Sequence, residues 1–104
     1  SSAASDVYKR QQIVHATRHG GDYLPQEQAH CLEYGASPRA TIAFVEAACA
    51  HALIHGRDHV IPDDVRAMRY MVLRHRLILT FEAVATRVPV EEIIDGIFGA
   101  VPTP

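Results

Sequence analysis

The sequence predicts a mainly α fold: a small four-helix bundle with a minor extended or β-hairpin element. Apolar residues recur at three- and four-residue spacing in several separate stretches. Pro38, Pro62 and Pro89 stand where helices should begin, and Gly20, Gly56 and Gly99 where they should stop. Only 77–87 alternates in the manner of a strand. At 104 residues the chain makes one domain with room for one modest core.

Taken in order, Ser1-Ser2-Ala3-Ala4-Ser5 reads as a flexible leader. Asp6 can then cap a first helix over 7–19, closed by Gly20-Gly21. Its inner face carries Val7, Ile13, Val14 and Thr17. An ordered loop follows over 20–36, pinned to the core by Tyr23, Leu24, Leu32 and Tyr34, with a short helical turn at 26–29 after Pro25.

The second helix, ending at His55 and Gly56, is the apolar centre. Ile42, Val45, Cys49 and Ala52 form its stripe, widened by Phe44, Ala48 and Leu53. Being apolar most of the way round and rich in alanine, it should be covered on more than one side. Pro62-Asp63-Asp64 opens a third helix to about His75, with Val65, Met68 and Val72 inward, joined by Met71 and Leu73. Leu77, Leu79 and Phe81 alternate with Ile78 and Thr80, and 83–87 can return as a second strand. The last helix runs from Pro89 to about Phe98 with Val90, Ile93, Ile94, Ile97 and Phe98 on one face, and 101–104 is a tail.

The start of the second helix is chemically odd. In Gly35-Ala36-Ser37-Pro38-Arg39, Gly35 loosens the backbone, Ser37 can cap, and Pro38 suits a position that needs no amide hydrogen. Arg39 then places a cation at the positive end of the helix dipole, which is unfavourable by a few tenths of a kcal/mol. Free amides and a guanidinium aimed at one place suit an anion such as a phosphate. Two other outcomes stay open: Arg39 turned into water, or Arg39 paired with Glu33 or Glu46.

Composition excludes several function classes. The net charge is −2 and no long basic block occurs, which argues against nucleic acid as the main partner. No apolar run reaches the length of a membrane span, and no signal peptide opens the chain. Cys31 and Cys49 could join in a disulfide, but nothing marks a secreted scaffold, so they read as free thiols of a cytoplasmic protein.

Most catalytic patterns fail as well. His51, His55 and His59 have a spacing that can hold zinc, but no His-Glu-x-x-His motif or paired cysteines support it. Ser37 lacks a nucleophile elbow. Glu91-Glu92 and Asp63-Asp64 read as helix-start acids, and Arg66, Arg69, Arg74 and Arg76 as a solvated helix face. Lys9 is the single lysine and follows no glycine-rich loop, so a Walker-type phosphate loop is impossible here. If Arg39 meets a nucleotide phosphate, the rest of that site lies on another segment. The chain is then an accessory piece, not an enzyme.

Four blocks now fall into register. They are Gly35-Ala36-Ser37-Pro38-Arg39-Ala40, Gly56-Arg57-Asp58, Pro62-Asp63-Asp64-Val65, and Val72-Leu73-Arg74-His75-Arg76-Leu77. Together they resemble the C-terminal lid of MoxR-type AAA+ ATPases over about 6–100. The resemblance implies an AAA+ lid-type bundle following an α/β nucleotide-binding core. In it Arg39 is the sensor 2 residue, reaching toward the γ-phosphate, with Gly35, Ala36, Ser37 and Pro38 close to the nucleotide. It also implies ATP and Mg in the full-length parent and no cofactor bound to this fragment alone. The implied partners are the core domain of the same protein and neighbouring subunits of a ring, commonly a hexamer. Chaperone-like remodelling, often with a von Willebrand factor A domain protein, is the implied activity.

Two positions depart from the family pattern. Ile61 precedes Pro62 where Thr or Ser is usual, removing a side-chain cap worth about 1 kcal/mol. Val88-Pro89 similarly replaces a Ser cap before the last helix. The rival readings are a free-standing helical interaction module without nucleotide linkage and a nucleic-acid-binding unit using the arginine cluster.

Overall fold

The computed structural model describes residues 2–101. Ser1 of the expected leader and Pro102, Thr103 and Pro104 of the expected tail lie outside the described residues, as do the side chains of 2–9, including Val7 of the expected inner face. Helix α1 spans Ser2–Arg18, so its backbone is already helical ahead of Asp6, the expected cap. Ser and Ala are permissive in a helix, and nothing between Ser2 and Asp6 breaks one. Two single-turn helices follow, α2 (Gly20–Tyr23) and α3 (Gln26–Ala29), the latter where the turn after Pro25 was expected.

Strand β1 (Leu32–Tyr34) lies in the stretch read as loop. It pairs antiparallel with β2 (Ile78–Leu79), Leu32 opposite Leu79 and Tyr34 opposite Ile78. The extended element is therefore a long-range pair and not a local hairpin. What was expected as its return strand is instead helix α7 (Phe81–Ala85). The reason is local: the Thr80 hydroxyl accepts the Ala83 N–H at 3.2 Å, starting a helix where alternation suggested a strand. Arg87 closes it in the left-handed region at φ 60°, with Val88 N–H on Ala83 O.

Helix α4 (Ala40–Ile54) packs against α1, α5 (Pro62–Ala67) and α6 (Arg69–Leu73). Its buried face is Ala40, Phe44, Ala48 and Ala52, so of the expected stripe and its flanks only Phe44, Ala48 and Ala52 face inward. Ile42, Val45, Cys49 and Leu53 are exposed, and only one side of the helix is deeply covered. A row of three alanines and one Phe lets the neighbouring helices approach closely. The larger side chains then fall on the outer flank.

The third predicted helix is broken at Met68, whose φ −98° and ψ 7° leave the α region and separate α5 from α6. Of its expected inward residues Val65, Val72 and Leu73 are buried and Met68 half-buried, but Met71 is exposed. Helix α8 (Val90–Ala100) buries Ile93, Ile94, Ile97 and Phe98, and the Phe98 ring lies 6.3 Å from that of Phe44. Neither Ile61 before α5 nor Pro89 before α8 supplies a side-chain cap, as the sequence implied. The core thus sits between α1, α4, α6 and α8, with α4 in the middle. Among the described residues no helix is long and apolar enough to cross a membrane.

Candidate functional site

The loop 35–39 lies over the end of α1 and leads into α4. Ser37, Pro38, Arg39 and Ala40 form a tight turn, with Ala40 N–H on Ser37 O at 2.9 Å and Thr41 N–H on Pro38 O at 3.1 Å. The Ser37 hydroxyl accepts the Arg39 N–H at 3.3 Å, the cap expected of it one turn before the regular helix. Arg39 is therefore the residue at which α4 begins, with helical φ −64° and ψ −18°.

Ala36 is buried, whereas Ser37, Pro38 and Arg39 are exposed. Of the open alternatives, pairing with Glu33 or Glu46 is not adopted: among the described residues no ion pair holds Arg39. The free amides expected beside it are not found, because the N–H groups of Arg39, Ala40, Thr41 and Ile42 all have acceptors within the turn; the exposed guanidinium alone is uncommitted. Such a group can receive an oxyanion brought by another surface.

Beside it runs an open groove of about 460 Å³ between α1 and α4, lined by Gln11, Val14, His15, Arg18, His19, Pro38 and Thr41. Arg18 is a second exposed cation here. His15 and His19 stack with centroids 4.2 Å apart, and the His15 ring Nδ1 lies 3.2 Å from the Tyr23 hydroxyl. Sequence reading gave no role to His15, Arg18 or His19. Four-residue spacing of His15 and His19 near a helix end was the available signal.

The far end of α4 is built differently. Gly56, at φ 76°, ends the helix in the left-handed region, as expected, with Arg57 N–H on Ala52 O at 2.9 Å. This turn sends Arg57 onto Asp64, which is fully buried. The same carboxylate accepts from His51 Nδ1 at 2.6 Å and from the Ile61 N–H at 2.8 Å. Burial pushes the Asp64 carboxyl up. The Ile61 amide, the His51 imidazole and the Arg57 charge outweigh it and hold the group below its ordinary value. Asp64 was expected merely as a helix-start acid; it is also the anchor between α4 and α5.

The histidines considered for zinc are occupied one by one. His51 meets Asp64, His55 stacks on His51 and donates from Nδ1 to His51 O, and His59 meets Asp58. The arginine cluster is also largely engaged. Arg69 pairs with Asp95 at 2.9 Å and stacks 4.3 Å over Tyr70, Arg74 meets Glu91 at 3.4 Å, and Arg76 donates to Val72 O. Cys31 and Cys49 are free thiols.

The chain resembles known proteins over most of its length. Residues 25–97 match the family model described as the AAA lid domain. The chain is 39% identical over 92 residues to Chaperone MoxR1 of Mycobacterium tuberculosis, covering 88% of this chain and 24% of that protein. Against Protein MoxR of Methylorubrum extorquens it is 38% identical over 75 residues, 70% of this chain and 22% of that one. A solved candidate ATPase from Cytophaga hutchinsonii superposes with TM-score 0.91 at 35% identity, covering 96% of this chain and 30% of that one. The chain spans about a quarter of the length of the curated relatives it matches.

Proposed function

The chain belongs to the AAA lid domain family, and from that premise we propose that it is the C-terminal lid of a MoxR-type AAA+ ATPase whose Arg39 acts as sensor 2. The observation that carries the reading is the uncommitted guanidinium: Arg39 is exposed at the mouth of α4 and no ion pair among the described residues holds it. A fixed positive charge with two-pronged hydrogen bonding suits a γ-phosphate presented by a separate core domain.

On this reading ATP draws Arg39 onto the γ-phosphate and swings the lid against the core. Hydrolysis removes that anchor and the lid relaxes. Gly35, Ala36, Ser37 and Pro38 set how closely the helix start approaches the nucleotide. Repeated closure within a ring of subunits, a hexamer in the usual arrangement, drives chaperone-like remodelling, with a von Willebrand factor A domain protein as partner. Magnesium accompanies ATP in such a parent, but this chain's own carboxylates do not fit it. Among the described residues no three His, Cys, Asp or Glu side chains converge, and Asp64 is already taken by three donors. No step here runs through the ion.

In the full-length protein, Arg39→Ala should slow ATP turnover about a hundredfold or more while the protein stays folded. Turnover at the wild-type rate would remove Arg39 from the mechanism. The chain alone should hydrolyse no ATP and bind it weakly at best, and a calorimetric titration showing tight binding would contradict the assignment.

A second reading rests on Ile42, Leu53 and Ile54, which are 60%, 70% and 81% exposed on the outer flank of α4. They suit a helical interaction module that docks on a protein partner. Its mark is a stable dimer in light scattering together with an Arg39→Ala variant silent in every nucleotide-linked assay. The last helix does not contribute to such a surface, because its apolar face is buried.

A further inference from the structure

We infer that Thr17, on the last turn of α1, is a positioning residue for Arg39, an inference that rests on the sensor 2 reading of that arginine. The hydroxyl of Thr17 works in both directions. It donates to Val14 O at 2.6 Å, which fixes its rotation, and it accepts the Ala36 N–H at 2.9 Å. Thr17 is 1% exposed and Ala36 is fully buried, so water cannot replace either bond.

The neighbouring residue locks the same contact through shape. A Cβ added at Gly35 would lie 2.0 Å from the Thr17 carbonyl oxygen and 2.6 Å from the Arg18 nitrogen. Only a residue without a side chain lets the loop rest directly on the backbone of α1. Two consecutive residues are thus tied to α1, one by contact and one by a hydrogen bond.

From Ala36 the chain reaches Arg39 through the tight turn closed by Ser37. Little freedom remains between the anchor and the guanidinium's own backbone. The position of Arg39 is accordingly referred to α1 as well as to α4, and a shift of α1 carries the arginine with it. Thr17 itself touches no nucleotide; it acts through Arg39. Valine has the same shape but can neither donate nor accept, whereas serine can do both.

The test is a double-mutant cycle on ATP hydrolysis by the full-length protein. Thr17→Val should lower kcat about tenfold with KM little changed, and Thr17→Ser should restore kcat to within about twofold of wild type. In the Arg39→Ala background, Thr17→Val should add less than about a twofold loss, because the group it positions is gone. An equal loss with and without Arg39, or no restoration by serine, overturns the inference.

Should Thr17→Val fail to fold, Thr17→Ala removes the same hydroxyl without adding an unmatched methyl at the Ala36 amide. It is expected to show the same non-additivity with Arg39→Ala, and simple additivity again overturns the inference. The two levels of the reading separate cleanly. A silent Arg39→Ala removes the sensor 2 assignment and Thr17's role with it. A strong Arg39→Ala defect beside a silent Thr17→Val removes Thr17 alone.

Discussion

At one end of α4 a guanidinium is left in solvent, and at the other a guanidinium is folded back onto a buried acid. Arg39 begins the helix with no ion pair among the described residues, while Arg57, just past its end, meets Asp64 together with His51 and the Ile61 amide. The chemistry of the two side chains is identical. What differs is whether the fold supplies the counter-charge. Where it does, the arginine ties elements together; where it does not, the charge is available to something that arrives from outside. Arg69 sharpens the contrast, because Asp95 and Tyr70 hold it much as Asp64 holds Arg57.

The largest expected effect breaks the tied end. Asp64→Ala strips a buried carboxylate from Arg57 and His51 and should cost about 3 kcal/mol of stability, read from the denaturant midpoint. A cost within the error of the measurement would mean that Arg57 and His51 are satisfied by solvent. Acid should act through the same group. The folded-state pKa of Asp64 is depressed, so its contribution is full above the ordinary carboxylate range, near pH 4. That contribution is lost as pH falls through the lower folded value. Asp64→Ala should therefore show a shallower loss of stability with acidification below about pH 4 than the wild type.

Next comes the free end, where geometry and not stability is at stake. Arg39→Lys keeps the charge but loses the planar fork, so turnover in the full-length protein should fall about tenfold, with the unfolding midpoint almost unmoved. A large change in stability would show that Arg39 is held by the fold after all, and the comparison with Arg57 would fail.

Smaller effects refine the contrast. The Tyr70 hydroxyl donates to Asp95, lying 2.7 and 2.8 Å from its two oxygens, and helps to fix Arg69. Tyr70→Phe should cost about 1 kcal/mol in equilibrium unfolding and leave ATP turnover untouched. Smallest is a gain. Ile61→Thr returns a side-chain cap to α5, where Asp64 alone now satisfies the cap backbone, and should raise stability by about 0.5 kcal/mol. A loss would show that the half-buried Ile61 side chain matters more than the cap.

Several helix starts and stops were legible because they depend on a few adjacent residues, although α1 begins ahead of Asp6 and α8 runs past Gly99. Ser37 caps, Gly56 turns left-handed, the turn after Pro25 forms, and the apolar face of α8 is the one its spacing announced. Arg39 at a helix start, with its family resemblance, also belongs to this local information. Only the tertiary structure decided which face of α4 is buried, since a helix apolar nearly all round offers several and its neighbours select the alanine row. The same holds for the pairing of 32–34 with 78–79 and for the break at Met68. It holds as well for Asp64, whose burial depends on His51 arriving from α4 and Arg57 from the turn beyond it. Thr17 reads as one more inward residue until Gly35 and Ala36 are laid against it. Capping and turn preferences act over a few bonds, but burial and counter-charge come from partners distant in the chain, and no local pattern records them.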